Sequence, residues 1–269
     1  MSENTNIYGF QPSVGAAVVA ALLFGGSSLL HCYQTWRHRG RFFLVFIIGA
    51  IMMTIGYITR CISAESPSQL GPYIVQYICI LLPPSLYAAS IYMLYGRIVL
   101  LVSQPQLSII APTKVTTVFV LGDTLSFLTQ LGGGSMMCSA STEETGQKVL
   151  IAGLIIQLLS FGLFFVTAII FEMRLRRLML FRNRTAWRTL LYFCFVAAAL
   201  IILRCVYRVI EATQGSRGFL STHEAYIYCF DALPMFLVQG IFHFCAPGKA
   251  LRTGGGSAKA SYENTDELN

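Results

Sequence analysis

The chain has 269 residues, of which 55% are hydrophobic and only 12% charged, about half the charged share of an ordinary soluble domain. Its formal net charge is +7, but the basic residues gather at the ends of long apolar blocks, where charges meet a membrane surface. That placement excludes a nucleic-acid-binding module. The apolar blocks and short loops also leave no room for a separate soluble domain, so one membrane domain is expected.

A membrane-spanning helix needs about 20 largely apolar residues. In chain order, such stretches run roughly over 14–36, 42–62, 73–102, 115–138, 148–172, 187–211 and 223–245. The first ten residues are polar and lack the basic start of a cleavable signal peptide, so the first span is expected to serve as its own insertion signal. Small residues run through this span (Gly15, Ala16, Ala17, Ala20, Ala21, Gly25 and Gly26) and read as a close helix-packing face. The third span is long and carries Pro83 and Pro84. Proline removes a backbone donor and kinks a helix, and non-helical backbone inside a membrane must be buried in protein or face water. Near the end of the fourth span Gly132, Gly133 and Gly134 permit tight turning or close backbone approach. No GKS or GKT follows, so they are not a phosphate loop.

Orientation follows from Lys and Arg near the span ends. Arg37, Arg39 and Arg41 follow the first span; Arg97 and Lys114 flank the third loop. Arg174, Arg176, Arg177, Arg182, Arg184 and Arg188 fill the fifth, and Lys249, Arg252 and Lys259 follow the last. The alternate loops have only Arg60, Lys148 and Arg217 nearby. The expected fold is an all-α polytopic membrane protein with seven transmembrane helices, N-terminus outside and C-terminus cytosolic. Its expected layout is an extracellular N-terminus (1–13), a transmembrane domain (14–245) and a cytosolic tail (246–269). The tail is rich in Gly, Ser, Asn and acidic residues and reads as disordered. A glycosylation sequon, Asn183-Arg184-Thr185, falls in an expected cytosolic loop and is discounted.

Ionisable residues inside a membrane call for a partner or for water. Arg204, Arg208 and Glu211 share one face of the sixth span through i, i+4, i+7 spacing. The seventh span starts with His223 and Glu224, and Asp231 follows about two turns later. Arg204 and Asp231 then lie at a similar depth, roughly 10–12 Å from the outer ends, and form a natural ion pair if the helices pack. Tyr207, Tyr226 and Tyr228 add phenols nearby, and Arg60 and Gln76 sit at the same outer level. This convergence points to an outer polar cavity, in which an amphiphile's amine meets Glu224 or Asp231 while its tail stays in lipid. The bland alternative is that such residues are polar glue between helices. A second, sparser set comprises His31 and Gln34 in the first span and Asp123 and Gln130 in the fourth. Asp123 is expected to pair with His31 or with an arginine such as Arg97.

Of the eight cysteines, most lie inside apolar blocks as small hydrophobes. Cys61 and Cys138 fall near outer ends, where a disulfide between them is one outcome to test. No CxxC pair occurs, so no zinc or thioredoxin-like site is expected, and no metal, cofactor or catalytic set is assigned.

Several blocks also resemble a known family. They include Tyr8-Gly9-Phe10-Gln11-Pro12-Ser13, Gly56-Tyr57-Ile58-Thr59-Arg60 and Ala89-Ser90-Ile91-Tyr92-Met93. Further matches are Gly122-Asp123 with Gln130 and Gly132-Gly133-Gly134, and Gly153-Leu154 with Gln157. The longest runs from Arg204 through Tyr207-Arg208, Glu211, Gln214-Gly215, Gly218, His223-Glu224 and Tyr228 to Asp231. Together they resemble the fungal lipid-translocating exporter family, also called aminocholesterol-resistance-like, over nearly the whole membrane domain. The chain departs from that pattern at Met53, where members often carry a glutamate, and at Ala246-Pro247-Gly248, where they read His-Pro-Gly. The resemblance implies seven helices in a fungal plasma or internal membrane and resistance to toxic amphiphiles, including sphingoid long-chain bases and aminosterols. Some relatives are associated with haem precursor transport.

The leading expectation is a transporter of amphiphilic lipids such as sphingoid long-chain bases or sterol-like amines. No Walker motif or inverted repeat supplies energy coupling, which leaves protons carried by Asp123, Glu224 or Asp231. The alternative is a seven-helix receptor or sensor for a hydrophobic ligand, whose basic fifth loop meets a cytosolic protein partner. The seventh span has no lysine, which excludes a retinal Schiff base. A lesser alternative is an intramembrane lipid-modifying enzyme. Against it, His223 and Glu224 are neighbours about 100° apart on a helix and do not share a face.

Overall fold

The computed structural model of the chain describes residues 12–38, 43–66, 69–102, 104–137, 139, 141–178, 186–215 and 218–245. The expected tail over 246–269 and nearly all of the expected extracellular N-terminus lie outside them. Every regular element among the described residues is helical, and seven apolar segments are long enough to cross a membrane. The chain is a multi-pass membrane protein.

The first two spans are α1 (Val14–His38) and α2 (Leu44–Glu65). The third is broken into α3 (Leu70–Leu81) and α4 (Pro83–Leu101). The break answers to sequence: Pro83 and Pro84 have no N–H to donate, so the helix cannot pass through them with its hydrogen bonds intact. A short 3₁₀ turn, Pro105–Leu107, leads to α5 (Pro112–Met136). Pro112 opens α5 at a position where the missing N–H costs nothing.

The fifth span, α6 (Glu143–Arg177), is 35 residues long, or about 52 Å at 1.5 Å per residue. That exceeds the roughly 30 Å hydrocarbon core of a bilayer. It is longer than the apolar stretch alone because its ends suit the helix dipole: Glu143 and Glu144 in the first turn, Arg174, Arg176 and Arg177 in the last. The sixth span is α7 (Ala186–Gln214), closed by Gly215 at φ +75°, a left-handed conformation that glycine adopts without a Cβ penalty.

The last span is not one regular helix. It comprises the single turns α8 (Phe219–Thr222) and α9 (Glu224–Ile227), a π turn at Tyr228–Ala232, and α10 (Leu233–Cys245). The π turn carries Asp231.

The bundle is organised around α4, which packs against α2, α5 and α7. Its Tyr87, Ile91, Tyr92, Leu94, Tyr95, Ile98 and Val99 are inaccessible. On one side α1 lies against α2 and α10; on the other α5 and α6 form the closest pair. That closeness requires Gly133, where an added Cβ would sit 2.4 Å from the Leu150 backbone nitrogen. Gly132 has open space and Gly134 only faces Tyr77, so close approach is the work of one of the three glycines. In α1, Ala17 and Ala20 are buried, whereas a Cβ on Gly26 would meet nothing. The small-residue face is therefore narrower than the sequence suggests. Leu22, Leu29, Leu121 and Leu159 point outward and are 65–74% exposed, as expected for side chains that meet lipid.

Candidate functional site

The ends of α2, α5 and α7 and the starts of α1, α3, α6 and α9 meet at one end of the bundle, termed here the entry end. The predicted outer polar residues gather there. Arg204 and Asp231 pair at 2.6 Å (Nε to Oδ1), with side chains 1% and 0% exposed. Arg208 grips both oxygens of the same carboxylate, Nε to Oδ1 at 2.9 Å and Nη2 to Oδ2 at 2.8 Å. It also donates through Nη1 to Glu211 Oε2 at 3.0 Å. Two arginines thus serve one aspartate, and the π turn presents that aspartate to α7. Its i→i+5 pattern puts one extra residue inside each hydrogen-bonded loop and widens the helix locally, a departure from α geometry frequently found at functional sites.

Glu224 is also occupied. It accepts from Arg60 Nη2 at 2.9 Å and from the Ser13 backbone N–H at 2.7 Å, tying α9 to α2 and to the start of α1. Arg60 Nε reaches the Tyr228 hydroxyl at 3.3 Å. Three arginines (60, 204 and 208) meet three carboxylates (211, 224 and 231) in ion pairs, so the cluster is electrically balanced. Glu224 and Asp231, the carboxylates expected to meet an incoming amine, are thus both already held by arginines. An isolated buried carboxylate is far costlier than a paired one.

A cavity of about 220 Å³ lies against this cluster. Arg60, Gln76, Arg208, Glu211 and Asp231 line it, together with Tyr57, Tyr73, Tyr77 and Gln147. Its apolar wall is formed by Ile80 and Leu81 of α3 and Leu150 and Leu154 of α6. The side chain of Glu211 is 14% exposed, and of the cavity carboxylates it alone is held by one arginine. His223 does not join in: it is exposed, bonds through Nδ1 to the Phe219 carbonyl at 2.9 Å, and packs on the Phe219 ring.

The other predicted residues form two separate groups. Asp123 pairs with neither His31 nor Arg97; it accepts a hydrogen bond from the Tyr92 hydroxyl at 2.9 Å. Gln130 donates to Ser126 at 2.7 Å and to Gln157 at 2.9 Å, and Gln157 donates to Ser85 at 3.1 Å. His31 and Gln34 join α10 instead. His31 stacks on His243 with ring centroids 3.8 Å apart and contacts the Gln239 carbonyl at 3.2 Å. Gln34 donates to the His243 carbonyl at 3.4 Å, and Ser27 bonds the His243 ring at 2.8 Å. Asp123 was expected to share a set with His31, but helical depth alone does not say which neighbours face each other. Cys61 has a free thiol that donates to the Tyr57 carbonyl at 3.2 Å; its expected partner Cys138 lies outside the described residues.

Sequence reasoning missed Tyr92, Gln147, Gln239 and Glu172. The amides were legible as lone polar groups in apolar helices. Glu172, 8% exposed, hides among the basic residues at the far end of the bundle, where Arg176 holds it at 2.8 Å. Among the described residues, no group of three or more His, Cys, Asp or Glu is arranged to hold a metal ion.

Comparison with known proteins finds several relatives. The chain is 38% identical to protoporphyrin uptake protein 1 of Saccharomyces cerevisiae, over 73% of this chain and 65% of that protein. It thus spans just under two thirds of that relative's length. It is 33% identical to protein RTA1 of the same organism, over 91% of this chain and 86% of that protein. It is 24% identical to the sphingoid long-chain base transporter RSB1 of Saccharomyces cerevisiae, over 93% of this chain and 76% of that protein. No solved structure matches the chain. The family described as RTA1 like protein matches residues 46–254, which include every member of the charged cluster, and the chain belongs to that family.

Proposed function

We propose that this protein moves amphiphilic lipids across a membrane, with sphingoid long-chain bases and sterol-like amines as the substrate class, and so confers resistance to them. The observation that carries this reading is a polar cavity at one end of an otherwise apolar bundle. It has an ion-paired floor and an apolar side wall. A head group bearing an amine and hydroxyls finds acceptors and donors in Glu211, Gln76, Gln147 and the tyrosines, and a hydrocarbon tail finds Ile80, Leu150 and Leu154. The relative named as a sphingoid long-chain base transporter supports the same substrate class.

Glu211 is the residue proposed to meet the amine, since it is partly exposed and held by a single arginine, which keeps its pair with Asp231 when Glu211 turns to a ligand. Arg204, Arg208 and Asp231 form the floor that positions it. Arg60 and Glu224 brace the mouth. Asp123 and Gln130 are assigned to the interior of the pathway, and His31 and Gln34 to packing at its far end. The entry end is placed outside and the basic loops in the cytosol, by the distribution of Lys and Arg. The fungal plasma membrane is the proposed location.

The test is transbilayer movement of a labelled sphingoid base in liposomes holding the purified protein. Protein-dependent movement is expected, and it should fall at least tenfold in Asp231→Asn and Arg204→Gln variants shown to be folded. Saturable binding without movement would replace this reading with a receptor. An epitope at the N-terminus is expected to be accessible from outside intact cells; access only after permeabilisation would reverse the orientation.

A further inference from the structure

Asp123 differs from every carboxylate of the charged cluster. It is buried, 4% exposed, near the middle of α5, and among the described residues it takes part in no ion pair. The titratable groups that face it are Tyr92 from α4 and Cys205 from α7, both buried and neither a cation. From α6, Ser160 stands beside the carboxyl group, yet no well-directed hydrogen bond reaches Oδ1. A carboxylate in such a place is several kcal/mol less stable than the same group in water. Uncompensated buried acids take up a proton instead.

The polar neighbours of this acid lie on one side. Toward the entry end, Ser126 and Gln130 continue the polar face of α5, and Gln157 joins them from α6 and Ser85 from α4. This string ends about one turn from Leu154, in the cavity wall. Toward the far end, the Tyr92 ring is enclosed by Phe119, Phe161 and Phe164, with centroids 5.3, 5.7 and 4.5 Å away. Polar groups lead from the cavity to the acid, and a wall of aromatic rings closes the other side.

We infer that Asp123 is a membrane-buried proton site, protonated in the resting protein and exchanging that proton, through the polar string, in step with lipid movement. The proton sits on Oδ1, the oxygen without a partner, while Oδ2 accepts from Tyr92. On release it passes to water entering along Ser126 and Gln130; a carboxylate remains, held by the Tyr92 hydrogen bond. The cycle closes when the same oxygen takes a proton back. The coupling half of this inference rests on the transport reading above; the protonation half does not.

Two measurements on the purified full-length protein in lipid test it. Infrared spectroscopy at neutral pH should show the carbonyl stretch of a protonated carboxylic acid, sensitive to deuterium exchange, and Asp123→Asn should abolish it. An acid band unchanged in Asp123→Asn, or no acid band in the wild type, overturns the protonated site. In liposomes, an imposed pH gradient should change the rate of sphingoid-base movement severalfold in the wild type. Asp123→Asn should remove that response, and Asp123→Glu should restore part of it. A gradient response retained in Asp123→Asn overturns the coupling. An intact acid band with no lipid movement in the wild type overturns coupling and the transport reading together, and leaves the proton site standing.

Discussion

The guanidinium of Arg204 donates through Nη2 to the carbonyl oxygen of Ile80 at 3.2 Å. In an unbroken helix that carbonyl would accept from the N–H of residue 84, but residue 84 is proline. Arg204 therefore fills a vacancy that the proline creates, and with the same group it pairs with Asp231. One side chain joins the break in the third span, α7 and the π turn. This arrangement accounts for an arginine that is 1% exposed inside an apolar bundle, since non-helical backbone at membrane depth must find its hydrogen bonds elsewhere.

Replacing Arg204 should be costly for that reason. Arg204→Gln leaves the Ile80 carbonyl short of a donor and Asp231 with Arg208 alone. Losing one partner of a buried pair costs about 3–5 kcal/mol; Arg208 should hold the loss near the lower figure. Arg204→Lys should recover only part, because a single ammonium does not span both acceptors as a planar guanidinium does. Thermal unfolding in lipid nanodiscs should rank wild type, Lys and Gln in that order.

Pro84→Ala should act in the opposite sense on the fold. It supplies the N–H that the Ile80 carbonyl lacks, so that carbonyl no longer depends on Arg204, while Pro83 still interrupts the helix. The variant is expected to stay folded but to lose most lipid movement, because α3 supplies Tyr73, Gln76, Tyr77 and Ile80 to the cavity. Movement at the wild-type rate would show that the hold of Arg204 on the Ile80 carbonyl is incidental to function.

Glu211→Gln should separate head-group recognition from stability. The side chain is partly exposed and Arg208 keeps its pair with Asp231 when Glu211 is neutralised, so melting should shift less than in the Arg204 variants. A charge-assisted hydrogen bond contributes about 1.5–3 kcal/mol, or roughly tenfold to a hundredfold in affinity. Binding of a cationic sphingoid base should weaken by that much, and binding of its uncharged N-acyl analogue should be unaffected. Titration calorimetry with the two ligands distinguishes these outcomes.

A pair of glycine variants should report on the α5–α6 contact. Gly133→Ala places a Cβ against the backbone nitrogen of Leu150 at 2.4 Å, and backbone atoms cannot turn aside as side chains do. Melting should drop substantially, by an amount typical of overpacking, about 1–3 kcal/mol. Gly132→Ala meets open space and should be neutral or slightly stabilising, since alanine is the better helix former.

Much of this molecule is legible in the sequence because a bilayer imposes a simple rule: each crossing needs about 20 largely apolar residues whose backbone groups are satisfied inside the protein. The seven spans, the break at Pro83 and Pro84, and the shared face of Arg204, Arg208 and Glu211 follow from spacing alone. So does the depth match of Arg204 with Asp231, because rise per residue converts sequence position into distance along the helix. What spacing does not contain is the rotation of each helix about its axis and the identity of its neighbours. Only the packed bundle decided that Asp231 serves two arginines, that Glu224 is claimed by Arg60, and that His223 turns away from the cavity. It also decided that Asp123 meets Tyr92 while His31 stacks on His243. These outcomes depend on side chains from spans far apart in the chain, whose energies count only once the helices touch.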